Sequence, residues 1–325
     1  MSDVASRRRR VVFGAIGIVL LLWALLAGRP PRSTLLWHEI YNLGHIPLFG
    51  MFALLVLEMS RAGLRRLPPD SWIHYGIAFA ATVIVSIATE LAQLDMAGRQ
   101  AEVQDAFHNI IGGLCFLGLR ASLDTRLWQP DRSRWRRWVA VGAAMALLIS
   151  FWPLMSLGWH YGMRAAAFPV LVDLDSRWQG PFLGSPRAHL DKVQAPAGWQ
   201  QRKKQKVVAV RFYAAPWPGV SVHEPYPDWS AFSRLRFDVY SELAEPVGLI
   251  LRIDDARHNN QYRDRFNRTF TIEPGLNEIG VSLRDVVDAP AGRPLDIQDI
   301  AQMVLFTRRP EAPFTLYFSE IWLEQ

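Results

Sequence analysis

Between residues 11 and 160 the chain passes through one long apolar stretch after another, and beyond residue 170 it does not. That split constrains the fold more than any other feature. About 20 apolar residues in a helix match the roughly 30 Å hydrocarbon layer of a bilayer, and the helix satisfies its own backbone there. Five stretches qualify, at residues 11–27, 39–60, 72–94, 103–119 and 138–157. Residues 1–160 are therefore expected to form a multi-spanning α-helical membrane bundle of about five transmembrane helices. Trp72, Trp138, Trp152, Trp159 and Tyr161 fall near span ends, where interfacial aromatics sit.

The first stretch, "VVFGAIGIVLLLWALLA", follows "SRRRR" and has the form of a signal anchor or a cleavable signal peptide. The sequence after it, "GRPPRS", lacks a small-x-small cleavage site, so a retained helix is expected. Arginines fix the direction. Thirteen lie in the N-terminal segment and in the loops after the second and fourth stretches, against Arg29, Arg32 and Arg99 in the short loops opposite. The positive-inside bias then puts the N-terminus in the cytoplasm of a plasma (inner) membrane, and five spans put the C-terminal part outside. The net charge of +6 is explained by these arginines, so nucleic acid is not an expected partner. The single cysteine, Cys115, excludes a disulfide framework within one chain.

Three apolar stretches carry polar residues at helical spacing. His38, Asn42 and His45 follow i, i+4, i+7, as do Ser86, Glu90 and Gln93; Asp105 and Asn109 are i, i+4, with Gly113 continuing their stripe. Ionisable groups in spans face the bundle interior or a water-filled cavity and pair with one another. An outward-facing pocket lined by His45, Glu90, Asp105 and Asn109 is the simplest assembly, with Gln93 beside it and Arg99 reaching back from the loop as counter-ion. Competing readings make Asp105 a helix cap, Asn109 a plain interhelical bond and Gly112–Gly113 a packing surface. His108 lies one position off the Asp105 stripe and is assigned no role. His45, Glu90 and Asp105 are metal-ligand types, but no tight ligand motif accompanies them and no metal is expected.

A His in the outer half of one span, E-x-x-Q closing the next, a G-R loop and D-x-x-x-N-x-x-G opening another resembles the VanZ-like family. Here these are His45, Glu90 with Gln93, Gly98 with Arg99, then Asp105, Asn109 and Gly112, within about residues 35–120. The resemblance implies a cell-envelope protein of a family named for glycopeptide (teicoplanin) resistance, without implying a reaction. The chain departs from the family at "YNLGH", where Tyr41 and Asn42 stand in place of an Asp-Lys pair.

Residues 168–325 read differently. "RLRFDVYSE" (234–242), "VGLILRIDD" (247–255), "RTFTIEPGLNEIGVSL" (268–283), "IAQMVLFTRR" (300–309) and "FTLYFSEIWLE" (314–324) alternate with period two. Turn signals such as "EPG" separate them. An extracytoplasmic all-β sandwich, jelly-roll-like, is expected, with one helical turn near Asp296–Ala301. The order of these segments resembles galactose-binding-like sandwiches of the carbohydrate-binding-module kind. Trp217, Tyr226, Trp229, His258 and Tyr262 are the candidate ligand contacts, because aromatic faces pack on sugar rings; the competing reading buries Trp229 in the core. Asp254 and Asp255 offer a structural calcium site, and Asn267-Arg268-Thr269 is a formal glycosylation sequon.

Three functional readings follow. The first is an envelope protein whose outer sandwich recognises a glycan or another envelope component. The second is a membrane enzyme acting on a lipid-linked headgroup or precursor, with Glu90 or Asp105 as general base and His45 as proton partner. The third is a non-catalytic assembly partner. No GxSxG, P-loop or dinucleotide motif is present, and the balance leans away from an enzyme.

Overall fold

The computed structural model describes residues 2–27, 34–64, 66–94, 103–129, 132–174, 176–202 and 206–325. The chain divides into two compact units, Met1–Leu157 and Gly158–Gln325.

The first unit is helical: α1 (Ser2–Ala27), α2 (Leu35–Gly63), α3 (Trp72–Leu94), α4 (Val103–Leu123), α5 (Ser133–Ser150) and the start of α6 (Trp152–Ala167). Thr34 caps α2 by accepting the Trp37 N–H at 3.3 Å. α1 begins well before the apolar stretch because arginine is itself a good helix former. Among the described residues the helices number six rather than the expected five. The stretch at 138–157 breaks at Phe151, since Pro153 has no N–H for the Ile149 carbonyl and its ring clashes there. By length and composition, four helical segments among the described residues are long and apolar enough to cross a membrane: Leu35–Gly63, Trp72–Ala92, Gln104–Leu123 and Ser133–Ala167.

α2 and α4 meet closely. A Cβ on Gly112 would lie 2.2 Å from the Ile46 carbonyl oxygen, a contact only glycine permits. Near the other end of α2, Arg61 donates to Asp124 at 2.7 Å and to the Tyr75 hydroxyl at 3.2 Å. Arg120 lies 3.8 Å from Glu58, so two of the counted loop-side arginines are held in ion pairs.

The second unit is an all-β sandwich. One sheet has the order β3-β4-β11-β6-β9 with β1 added on β11; the other has β2-β5-β10-β7-β8. The strands are β1 (Val170–Asp173), β2 (Leu183–Gly184), β3 (Ala188–Gln194), β4 (Lys206–Phe212), β5 (Gly219–His223), β6 (Arg234–Ser241), β7 (Val247–Asp255), β8 (Phe266–Ile272), β9 (Gly275–Ser282), β10 (Ile300–Phe306) and β11 (Phe314–Glu324). The run expected at 268–283 is two strands, because "EPG" turns the chain and Gly275 takes φ +91°. Among the described residues the only α-helix confined to this unit is α7 (Leu283–Val287), whereas the predicted helical site near Asp296 is a turn closed by Asp299 N–H to the Asp296 carbonyl at 3.1 Å. Leu235, Phe237 and Val239 of one sheet and Leu249, Leu251 and Ile253 of the other fill the core.

Candidate functional site

Two groups of polar side chains merit description, one in each unit. In the helical unit, the His45 Nδ1 lies 2.9 Å from the Asn109 Oδ1. The Asn109 Nδ2 donates to the Ser86 Oγ at 3.1 Å, and the Ser86 hydroxyl donates to the Ala106 carbonyl at 3.4 Å. With the Asn109 amide in this orientation, its oxygen faces His45 and accepts Nδ1–H while its nitrogen donates to Ser86. His45 Nε2 then faces Asp105, whose Oδ2 is 3.8 Å away. Asp105 sits in the first turn of α4 rather than at its cap.

The stripes thus place His45, Ser86, Asp105 and Asn109 together. Glu90 is half-buried one turn beyond Ser86 on α3. The Gln93 side chain and all of Arg99 and Gly98 lie outside the described residues. His38 and Asn42 bond each other within α2 at 3.2 Å. His108, assigned no role from the sequence, is buried and interacts electrostatically with Asp105, His45 and Glu39. Its position off the stripe concealed it. Among the described residues no three His, Cys, Asp or Glu side chains come together to hold a metal.

The sandwich carries a cleft of 1540 Å³ on the outer face of the β2-β5-β10-β7-β8 sheet. Period-two alternation builds its floor. Leu249, Leu251 and Ile253 point into the core, so Ile250 and Arg252 point out. Strand register lines up Val304, Arg252 and Asn267 in one row, and Phe306, Ile250 and Thr269 in the next. Gly219 ends the second row opposite Phe306, where a Cβ would lie 2.6 Å from that of Phe306. The connections 243–247 and 307–313 and residues 262–265 form the walls.

Trp217 and Tyr262 both line the cleft and are exposed, at 47% and 69%. Trp217 adopts φ +55°, the left-handed region that a bulky residue occupies only when its surroundings impose it. Its ring meets Phe306 edge-on at 5.9 Å and carries the Arg308 guanidinium at 5.9 Å. Arg265 lies 5.3 Å from the Tyr262 ring centre. Arg252 donates from Nε to both Asp254 oxygens, at 3.0 and 2.7 Å. The Arg265 Nε and both amide atoms of Asn267 are buried without a hydrogen-bond partner among the described residues. The sequon asparagine is therefore a cleft residue whose amide is not exposed for modification.

The other sequence candidates lie elsewhere. Trp229 is a core residue at 0% exposure, its indole N–H donating to the Tyr226 carbonyl at 2.6 Å; a large ring fills the gap between two sheets. Tyr226 packs on Phe168 at 4.0 Å. The His258 ring is buried, with Nδ1 2.9 Å from the Asp264 carbonyl, and supports the Tyr262 loop from behind. Asp254 and Asp255 do not form a calcium site, because guanidinium groups stand where the cation would. Arg293 Nη2 donates to Asp255 at 2.8 Å and its Nε to Asp264 at 2.8 Å. Burial pushes the Asp255 carboxyl up, but bonds from Arg293 and the Asp296 N–H outweigh it and hold it below the usual range. The Arg293 hydrogen bond lowers Asp264 likewise.

No family model matches the chain, and no curated protein does. Among solved structures, the chain is similar to the family 11 carbohydrate-binding module of Clostridium thermocellum in complex with a β-1,3-1,4-mixed-linked tetrasaccharide. That likeness has 14% identity and a TM-score of 0.38, and covers 48% of this chain and 94% of that one. An exo-β-agarase matches at 16% identity and a TM-score of 0.37, over 48% of this chain and 24% of that one. The family 30 carbohydrate-binding module of Clostridium thermocellum matches at 16% identity and a TM-score of 0.31, over 43% of this chain and 89% of that one.

Proposed function

We propose that the chain is an integral membrane protein of the cell envelope whose sandwich recognises a saccharide in the cleft. One observation carries this: two exposed rings, Trp217 and Tyr262, line a single cleft that Arg252, Arg265 and Asn267 also line. Apolar faces for sugar rings beside polar groups that fix orientation are what saccharide binding needs.

The membrane reading is supported by the helices themselves. α5 buries no residue against the rest of the protein, and Trp138, Leu148 and Ile149 on it are more than 60% exposed. Apolar surface on that scale calls for lipid. The arginine distribution favours a cytoplasmic N-terminus with α1 as an additional span and the sandwich outside. The VanZ-like stripes on α2, α3 and α4 agree with an envelope role. A second reading, a membrane enzyme acting on a lipid-linked headgroup, is favoured by the directed His45–Asn109–Ser86 chain, which leaves His45 Nε2 toward Asp105.

The test is a glycan array probed with the full chain in detergent micelles, beside a Trp217→Ala/Tyr262→Ala variant. Saccharide binding lost in the variant supports the reading. Binding unaffected by both changes, or none at all, overturns it.

A further inference from the structure

Resting on the saccharide reading, the geometry points to an acidic saccharide: we infer that the floor of the cleft binds a sugar carboxylate through the Arg265 guanidinium. Arg252 and Asn267 are register partners on β7 and β8, and Arg265 immediately precedes β8. Asp254, with its side chain only 4% exposed, is already engaged by Arg252. Arg265 feels attraction from that same carboxylate and repulsion from Arg252, while burial disfavours its charge first of all. One buried carboxylate thus answers two guanidinium groups, and a positive charge is left over on the floor. Glu245 and Glu311 line the cleft too, but both are exposed, where water screens them.

Asp254, the carboxylate that acts on the half-buried Arg265, is already held by Arg252, so an incoming anion offsets the cost of burying the Arg265 charge. The guanidinium fork matches the planar carboxylate, to which it can donate two parallel hydrogen bonds. A neutral sugar would leave Arg265 uncompensated. Free inorganic anions would satisfy the charge without using the aromatic walls.

The experiment is titration calorimetry on the full chain in micelles with a uronic-acid oligosaccharide, its carboxyl-reduced neutral counterpart and inorganic phosphate. The acidic oligosaccharide is expected to bind at least about tenfold more tightly than the reduced one, the worth of a charge-assisted pair. Arg265→Met is expected to bring that ratio to about one. If that variant does not fold, added salt on the unmodified protein gives the same reading, weakening the acidic ligand selectively. Equal binding of both oligosaccharides overturns the acidic-ligand inference and retains saccharide recognition. Binding of neither overturns both. Phosphate binding as tightly as the acidic oligosaccharide assigns the floor to free anions and overturns the inference.

Discussion

The His45 Nδ1 and the Asn109 Oδ1 lie 2.9 Å apart, joining α2 to α4 through two side chains 64 positions distant in sequence. Because Asn109 also donates to Ser86, the neutral imidazole carries its proton on Nδ1. Nitrogen-15 spectra of histidine-labelled protein should show that tautomer for His45. Asn109→Leu should mix the tautomers and lower stability by about 1–3 kcal/mol, the cost of a buried polar group left unpaired. An Nε2–H tautomer in the unmodified protein would contradict the assigned chain.

α2 and α4 approach closely at Gly112. Gly112→Ala should force the helices apart and cost about 1–3 kcal/mol, read as a lower unfolding midpoint in detergent. Gly44→Ala is the control, since a Cβ there meets nothing within 4 Å.

Two tryptophans should behave oppositely. Trp229→Ala removes a fully buried ring and should cost about 3–5 kcal/mol. Trp217→Ala should leave the melting temperature of the sandwich near that of the parent while weakening saccharide binding. A stable Trp229→Ala protein would refute its place in the core.

Both contrasts show what a single sequence carries. Helical spacing points to His45, Glu90, Asp105 and Asn109; the distances join His45 to Asn109 and Asp105, and the α3 partner of Asn109 is Ser86, one turn from Glu90. The spacing is silent on His108, which reaches the same neighbourhood from off the stripe. Period-two alternation gives β6, β7, β10 and β11. The strands before them are hidden: β2 has only two residues, and "AHLDKVQ" of β3 is rich in charge. Trp229 carried both readings in the sequence, ligand contact and core ring, and its burial decides for the core. Arg293 meets Asp255 across 38 positions, so two adjacent aspartates read as cation ligands until their partner is seen.

Acid should loosen the loop behind Tyr262. Asp255 and Asp264 have folded pKa values below the ordinary carboxylate value of about 3.9. Their contribution is therefore full above that value and is lost as pH falls through the depressed folded values. Thermal melts should show stability of the sandwich falling below about pH 4 for this reason. Arg293→Met should strip out that dependence and, by leaving Asp255 buried and unpaired, cost about 3–5 kcal/mol.

Sidedness is accessible through cysteine, because the native Cys115 is buried. A membrane-impermeant maleimide applied to right-side-out vesicles should label Glu273→Cys in the sandwich and spare Arg66→Cys between α2 and α3. The reverse pattern would contradict the proposed orientation.

Hydrogen–deuterium exchange of the full chain, with and without a bound saccharide, tests the central claim most directly. Protection is expected at residues 262–269 and 304–314, on the cleft face of the β2-β5-β10-β7-β8 sheet. Protection confined to the β3-β4-β11-β6-β9 sheet or to the helices, with the cleft unchanged, would contradict the account.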